Sequence, residues 1–322
     1  MKYTDYDFNN KTILITGGAG FIGANLAFHI QEHYPKAHIV LFDAFVLGHF
    51  KNLRGFKGEV ISGDIGKVED LERLYDYNFD YIFHQAAISD TTVMDQKLVT
   101  HINTNAFKDI LDIAVSMNAN VVYASSAGTY GNSPAPNRVG EGEEPENVYG
   151  FSKLMMDNVA YRYMKENPQI SIVGLRYFNV YGPREVYKGK TASMMLQLGL
   201  QILAGKTPKL FKYGQQKRDF VYIEDVVQAN IKGAVSKTSG VFNVGSGRAR
   251  EFNEVLGTLH KELDTYTEVE YIDNPWAFYQ NHTEADIEAT RKVLGYEPQY
   301  DIEKGIAAYA PVIKSIYEKE LA

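Results

Sequence analysis

Through the first half of the chain, short runs of β-branched and aromatic residues alternate with longer stretches whose apolar positions recur at helical spacing. Residues 11–16, 38–42, 59–62, 81–85, 121–125 and 172–177 read as strands. Between them, 21–34, 68–77, 103–117 and 149–166 carry helical patterns. The alternation predicts an α/β fold, a Rossmann-type doubly wound parallel sheet with ligands outside the carboxyl ends of its strands. After Asn179 the texture changes to a Gly-Pro-Arg turn, a Lys/Gly-rich stretch, a Met/Leu-rich helix near 192–203 and shorter elements. This predicts a smaller C-terminal substrate lobe. The expected division is a dinucleotide-binding domain over 1–179, with a helix and strand in 219–245 returning to its sheet, and a substrate domain made of 180–218 and 246–322. Residues 133–146, rich in Pro, Gly, Asn and Glu, read as a surface loop, and no internal repeat is visible.

Composition narrows the class. With 322 residues, 45% of them hydrophobic, the chain is large enough to bury one sizeable core or a core plus a lobe. No stretch is long and apolar enough to span a bilayer, and the acidic, polar opening differs from a secretory signal, so a cytoplasmic location is expected. The absence of Cys excludes disulfides, thiolate nucleophiles and thiolate-bound zinc, and no metal site is expected. A net charge of −7 disfavours a nucleic-acid surface, which needs a basic face.

Two strings carry chemistry. The first, GGAGFIG at 17–23, follows an apolar strand and opens a helix, the context in which a glycine triplet cradles a pyrophosphate. Gly17 permits the tight turn, Gly20 lets the backbone approach the phosphates, and Gly23 seats the helix on the sheet, with its N-terminus facing the negative charge. About twenty residues on, Asp43 ends the next strand, where a carboxylate bonds a ribose 2′-hydroxyl and disfavours a 2′-phosphate. Asp64 and Ile65 follow the third strand and either flank an adenine or simply cap a helix.

The second string is YGFSK at 149–153. Residues four apart share a helix face, so Tyr149 and Lys153 point the same way. A phenol ionises at a pKa of about 10 in isolation, too high for a base at neutral pH, but an adjacent ammonium and a nicotinamide cation favour the phenolate. Ser125 and Ser126 end the preceding strand, and Ser126 is the better placed of the two to bond a substrate oxygen. A phenol, an ammonium and a hydroxyl next to a nucleotide turn are the parts for hydride transfer at a carbinol.

The chain resembles the extended short-chain dehydrogenase/reductases that modify nucleotide sugars, over essentially its whole length. The resemblance rests on GGAGFIG, FHQAA at 83–87, YASSAGTYG at 123–131, YGFSK, RYFNVYGPRE at 176–185 and RDFVYIEDV at 218–226. Within that superfamily it is most similar to the ADP-L-glycero-D-manno-heptose 6-epimerases, through VYKGKTAS at 186–193, PKLF at 208–211, AFYQ at 277–280 and TEADI at 283–287.

That resemblance implies a 6-epimerase that oxidises C6 of ADP-D-glycero-D-manno-heptose and reduces it again from the other face, supplying lipopolysaccharide core heptose. It implies Lys188 as a second acid/base facing Tyr149 across the sugar and also near the cofactor. It implies cofactor contacts from Phe21, Ile22, Gln85, Ala86, Ala87, Ser89, Asn103 and Val180. Substrate contacts would come from Asn179, Phe211 beside the nucleotide, Arg218 on the pyrophosphate, and Tyr279 closing over the sugar-nucleotide. Lys190 and Gln197 replace a Ser and a His seen in some relatives and would retune sugar contacts. The resemblance implies NADP, with NAD possible. Some relatives carry a basic residue just after the Asp43 position where this chain has Val46 and Leu47, which leaves the nucleotide preference open. The expected partner is a small nucleotide-sugar, with no nucleic acid and no membrane, and relatives are homo-oligomers.

Two other enzyme readings share the scaffold. A 4,6-dehydratase needs an acid to expel water, usually just after the strand-end hydroxyl, where Ala127 and Gly128 stand instead. A UDP-hexose 4-epimerase is harder to separate, although it needs no counterpart of Lys188. A non-catalytic nucleotide sensor has no use for Tyr149, Lys153 and Ser126 together.

Overall fold

A computed structural model describes residues 1–211, 213–273 and 280–321. Its strands are β1 (Thr12–Thr16), β2 (His38–Asp43), β3 (Glu59–Ser62), β4 (Tyr81–His84), β5 (Asn120–Ser126), β6 (Ile172–Tyr177), β7 (Asn179–Tyr181), β8 (Lys209–Phe211), β9 (Lys217–Tyr222), β10 (Gly240–Val244), β11 (Ala249–Glu251) and β12 (Glu270–Ile272). The α-helices are α1 (Phe21–His33), α2 (Val68–Glu72), α3 (Gln96–Val99), α4 (Ala106–Met117), α5 (Val148–Glu166), α6 (Met194–Leu203), α7 (Ile223–Ala234), α8 (Phe252–Leu263), α9 (Glu288–Leu294) and α10 (Ile302–Ile316).

Seven strands form the central sheet in the order β10-β6-β5-β4-β1-β2-β3, every pair parallel. Successive side chains on a strand point to opposite faces, and the core divides accordingly. Ile13, Ile15, Leu41, Phe83 and Leu175 pack with Leu26 and Ile30 of α1 and Val226 and Ile231 of α7. Leu14, Val40, Ile82 and Val121 pack on the other face with Phe107, Ile110 and Leu111 of α4 and Met156 and Ala160 of α5. Burial on both faces explains why β1, β4 and β6 lack the alternation of a half-exposed strand. The strand order reverses between β1 and β4, where a crevice opens at the carboxyl ends.

Three details differ from the sequence expectations. The helix expected over 68–77 stops at Glu72 and tightens into a 3₁₀ turn over Arg73–Asp76. Asn103 lies in a π-helical turn, Thr100–Asn105, ahead of α4. Of the returning segment, only α7 and β10 join the central sheet. Asp219 sits in β9, which pairs with β7 and β11 in a separate three-stranded sheet. Its buried carboxylate explains the position, because it accepts bonds from the backbone N–H of Ser246, Gly247 and Ala285 and so fastens β9 to the turn after β10.

Candidate active site

A cleft of about 630 Å³ runs along the carboxyl ends of the strands, from Asp43 past the glycine turn to the start of α5 and the segment after β7. A second cleft, about 750 Å³, opens between the N-terminal segment, α1 and α7 and holds none of the chemistry-bearing residues.

The glycine turn floors the first cleft. Gly17 has φ +68°, and a Cβ there would stand 2.7 Å from the backbone nitrogen of Ala86, so the turn and the end of β4 meet at a distance only glycine permits. Gly20 caps α1 with no side-chain cap bond and no acidic residue in the first turn, leaving the helix N–H groups and the positive end of the helix dipole facing the cleft. A cradle of bare backbone next to a helix N-terminus fits a dinucleotide pyrophosphate. At one end of the cleft, the Asp43 carboxylate accepts bonds from the N–H groups of Ala19 (2.9 Å) and Phe45 (2.8 Å). Burial pushes its pKa up and those two bonds oppose the shift. Asp64 and Ile65 also line the cleft, while an Asp64 oxygen accepts from the Gly66 N–H at 2.9 Å, so its position also closes a local turn.

At the other end, Asn147 caps α5 through a 2.8 Å bond from the Gly150 N–H. Gly150 lies against the backbone of Gly128, a contact that a side chain would block, and this seats the start of α5 against the end of β5. Tyr149 and Ser126 thereby come together. Burial pushes the Tyr149 phenol up and the hydrogen-bonded Ser126 side chain opposes it. The Ser126 oxygen accepts from the Gly128 N–H at 3.0 Å, leaving its own O–H to donate. Ser125 instead gives its hydroxyl to the buried Asp157 at 3.0 Å. One turn along α5, the Lys153 ammonium donates to the Ala124 carbonyl (2.7 Å) and lies 5.8 Å from the Tyr149 ring centroid. Burial lowers its pKa to about 8, and the nearby Asp157 carboxylate opposes that fall.

Lys188 reaches the same cleft from a 3₁₀ turn, Val186–Thr191, and its ammonium lies 5.5 Å from the ring centroid of Phe21. Burial lowers its pKa while Glu185 raises it. Glu185 is fully buried and holds this turn from beneath, its carboxylate accepting from Gly182 N–H (3.0 Å), Ser193 N–H (2.5 Å) and the Ser193 hydroxyl (2.8 Å).

Among the expected site residues, Gly17, Gly20, Phe21, Ile22, Gly23, Asp43, Asp64, Ile65, Gln85, Ala86, Ala87, Ser89, Ser126, Tyr149, Lys153, Asn179, Val180 and Lys188 all line this cleft. Others do not. Asn103 is buried behind it, exchanging bonds with the backbone of Ile88 and donating to Ser152. Gln197 donates to the carbonyls of Lys190 and Ala192 and so braces the Lys188 segment, and Lys190 is exposed outside the lining. Phe211 in β8 and Arg218 in β9 also lie outside the lining, the Arg218 guanidinium donating to the Lys217 carbonyl at 2.9 Å. Tyr279 falls outside the described residues. The lining further includes Tyr177, Phe178, Thr191, Met194 and Phe220, which no local sequence signal singles out.

The chain matches the family model described as the NAD dependent epimerase/dehydratase family over residues 13–245. It is 37% identical over 322 aligned positions to an ADP-L-glycero-D-manno-heptose-6-epimerase of Brachyspira hyodysenteriae, covering 94% of this chain and 98% of that one. The crystal structure of the Helicobacter pylori ADP-L-glycero-D-manno-heptose-6-epimerase is similar with a TM-score of 0.92 and 55% identity, covering 98% of this chain and all of that one. A UDP-N-acetylglucosamine 4-epimerase of Methanobrevibacter ruminantium, solved with UDP-N-acetylmuramic acid, is similar with a TM-score of 0.88 and 26% identity, covering 95% of this chain and 99% of that one.

Proposed function

Because the chain belongs to the NAD-dependent epimerase/dehydratase family, and within it to the ADP-L-glycero-D-manno-heptose-6-epimerases, we propose that it interconverts the two C6 epimers of ADP-glycero-D-manno-heptose through a 6-ketone. The observation that carries this reading is the convergence of Tyr149, Ser126, Lys153 and Lys188 on one cleft floored by the glycine turn. A bound nicotinamide dinucleotide supplies the acceptor for the C6 hydride and its donor in the return step.

In this reading the chain's own groups do the proton work. Tyr149 takes the C6 hydroxyl proton as the hydride leaves, and Ser126 donates to the same oxygen. The Lys153 ammonium stabilises the phenolate, which burial alone disfavours. Inversion requires the ketone to receive hydride on its opposite face, so the sugar turns over and its oxygen meets Lys188. Residues 1–179 with α7 and β10 serve as the nucleotide unit, and 180–222 with 246–322 as the substrate unit. A homo-oligomer is part of the same proposal, in keeping with the exposed aromatics Phe151 and Tyr161 on α5. Proton NMR of the protein with ADP-D-glycero-D-manno-heptose tests the function: the C6 epimer should appear, and turnover of UDP-hexoses alone would move the assignment to a 4-epimerase.

Lys153 must stay protonated, so kcat/KM should fall as pH rises through about 8, and Lys153→Arg, whose charge persists, should shift that limb upward while lowering the maximum rate. A limb unmoved in that variant would assign it to another group. For the nucleotide, the resemblance implies NADP, but the cleft-lining Asp43 carboxylate and the apolar, exposed Val46 and Leu47 favour an unphosphorylated ribose, and NAD is the form proposed here. Calorimetry on stripped protein should give NAD an affinity on the order of tenfold higher than NADP, and Asp43→Asn should narrow the gap. Tighter NADP binding would reverse this choice.

A further inference from the structure

Lys188 is the one proposed acid/base held by a surface turn instead of a helix or strand end, and a stack of rings ties that turn to the loop after β2. The His49 imidazole stacks on Tyr187, the residue before Lys188, with centroids 4.0 Å apart and planes 12° from parallel. The Lys51 ammonium lies 5.5 Å from the centroid of the same Tyr187 ring. His49 is itself fixed. Its backbone N–H donates to the Ala19 carbonyl of the glycine turn at 3.0 Å, and its Nδ1 accepts the Lys51 N–H at 3.2 Å. The loop that carries it starts at Asp43, which bonds the Phe45 N–H, and Gly48 packs so closely on that carboxylate that a Cβ would stand 2.6 Å from Oδ1. Phe45 holds φ +54°, a conformation that an unanchored loop would abandon. Asn52, at the loop's far end, also donates to the Ala19 carbonyl, at 3.1 Å.

We infer that His49 and Tyr187 are positioning residues which carry occupancy of the Asp43 ribose site to Lys188. A ribose bonded to Asp43 fixes the loop over 44–52, the fixed loop presents the His49 ring, and the ring holds Tyr187 and hence the backbone at Lys188. Coupling of this kind is reciprocal, so an ordered Lys188 turn in return favours the bound nucleotide. The consequence for the chemistry is selective. The half-reaction that uses Tyr149 rests on α5 and β5 and is independent of the stack, whereas the half-reaction that uses Lys188 depends on it. This inference rests on the reading of Lys188 as second acid/base.

Hydrogen–deuterium exchange on the full chain, stripped and then saturated with NAD, is the test. In the wild type, NAD should slow exchange over both 44–52 and 186–191. In His49→Ala it should still slow exchange at 44–52 and lose the effect at 186–191, and Tyr187→Phe, which keeps a ring to stack on, should restore the wild-type pattern relative to Tyr187→Ala. In single-turnover oxidation of the two C6 epimers, His49→Ala should slow one epimer on the order of tenfold and leave the other within about twofold. Undiminished protection at 186–191 in His49→Ala, or equal slowing of both epimers, overturns the inference. Failure of the reading beneath it looks different: Lys188→Met would then leave both epimers oxidised at the wild-type rate.

Discussion

Replacing Tyr149 by Phe should lower kcat by on the order of a thousandfold while NAD still binds and the melting temperature holds. The ring stays, so the seating of α5 against Gly128 is untouched, and Lys153 keeps its bond to the Ala124 carbonyl. What goes is the phenolic oxygen hydrogen-bonded to Ser126, and with it the acceptor for the proton released as C6 is oxidised. Steady-state turnover of ADP-heptose, beside calorimetry with NAD, separates the two effects. A rate within about tenfold of wild type would show that another group takes the proton.

The second large effect is expected at Gly17→Ala. An alanine there keeps φ at +68° only with strain of about 1–2 kcal/mol, and its methyl would meet the backbone of Gln85 and Ala86 at 2.7–2.9 Å. Both neighbours are main chain, so no rotamer relieves the contact, and β1 and β4 must move apart where the pyrophosphate would lie. The variant should lose nucleotide binding by two orders of magnitude or more, on the order of 3 kcal/mol, with a lower melting temperature. Nucleotide retained through purification at wild-type stoichiometry would contradict the assigned cradle.

Much of this architecture was legible in the sequence, because a parallel strand buried on both faces leaves an unbroken apolar run such as Ile13–Ile15 or Ile172–Val173, and because the glycine triplet has meaning only between a strand and a helix. The nearer a residue lies to such a junction, the more directly its place in the cleft follows from the sequence, as at Gly17, Ser126 and Tyr149. The places of residues set by tertiary contact do not follow in this way. Asp219 reads in sequence as the start of a helix and in the fold is a buried tie among three segments. Glu185 carries no local signal of its role, since nothing nearby in sequence says that Gly182 and Ser193 will both bond its carboxylate. The resemblance puts Asn103 and Gln197 near ligands, but nothing local says that the Asn103 amide will bond the Ile88 main chain and the Ser152 hydroxyl, or that the Gln197 amide will bond the carbonyls of Lys190 and Ala192. The His49–Tyr187 stack joins positions far apart in the chain, beyond the reach of any periodicity.

The central claim is that the hydrogen on C6 leaves as hydride, stays with the bound nucleotide and returns to the same carbon from the opposite face. ADP-D-glycero-D-manno-heptose carrying deuterium at C6, turned over in ordinary water and read by NMR and mass spectrometry, tests it directly. The predicted result is the L-glycero epimer with its C6 deuterium intact after many cycles. Exchange of that deuterium with solvent at the rate of epimerisation would mean that C6 is inverted by proton removal, and would contradict the account.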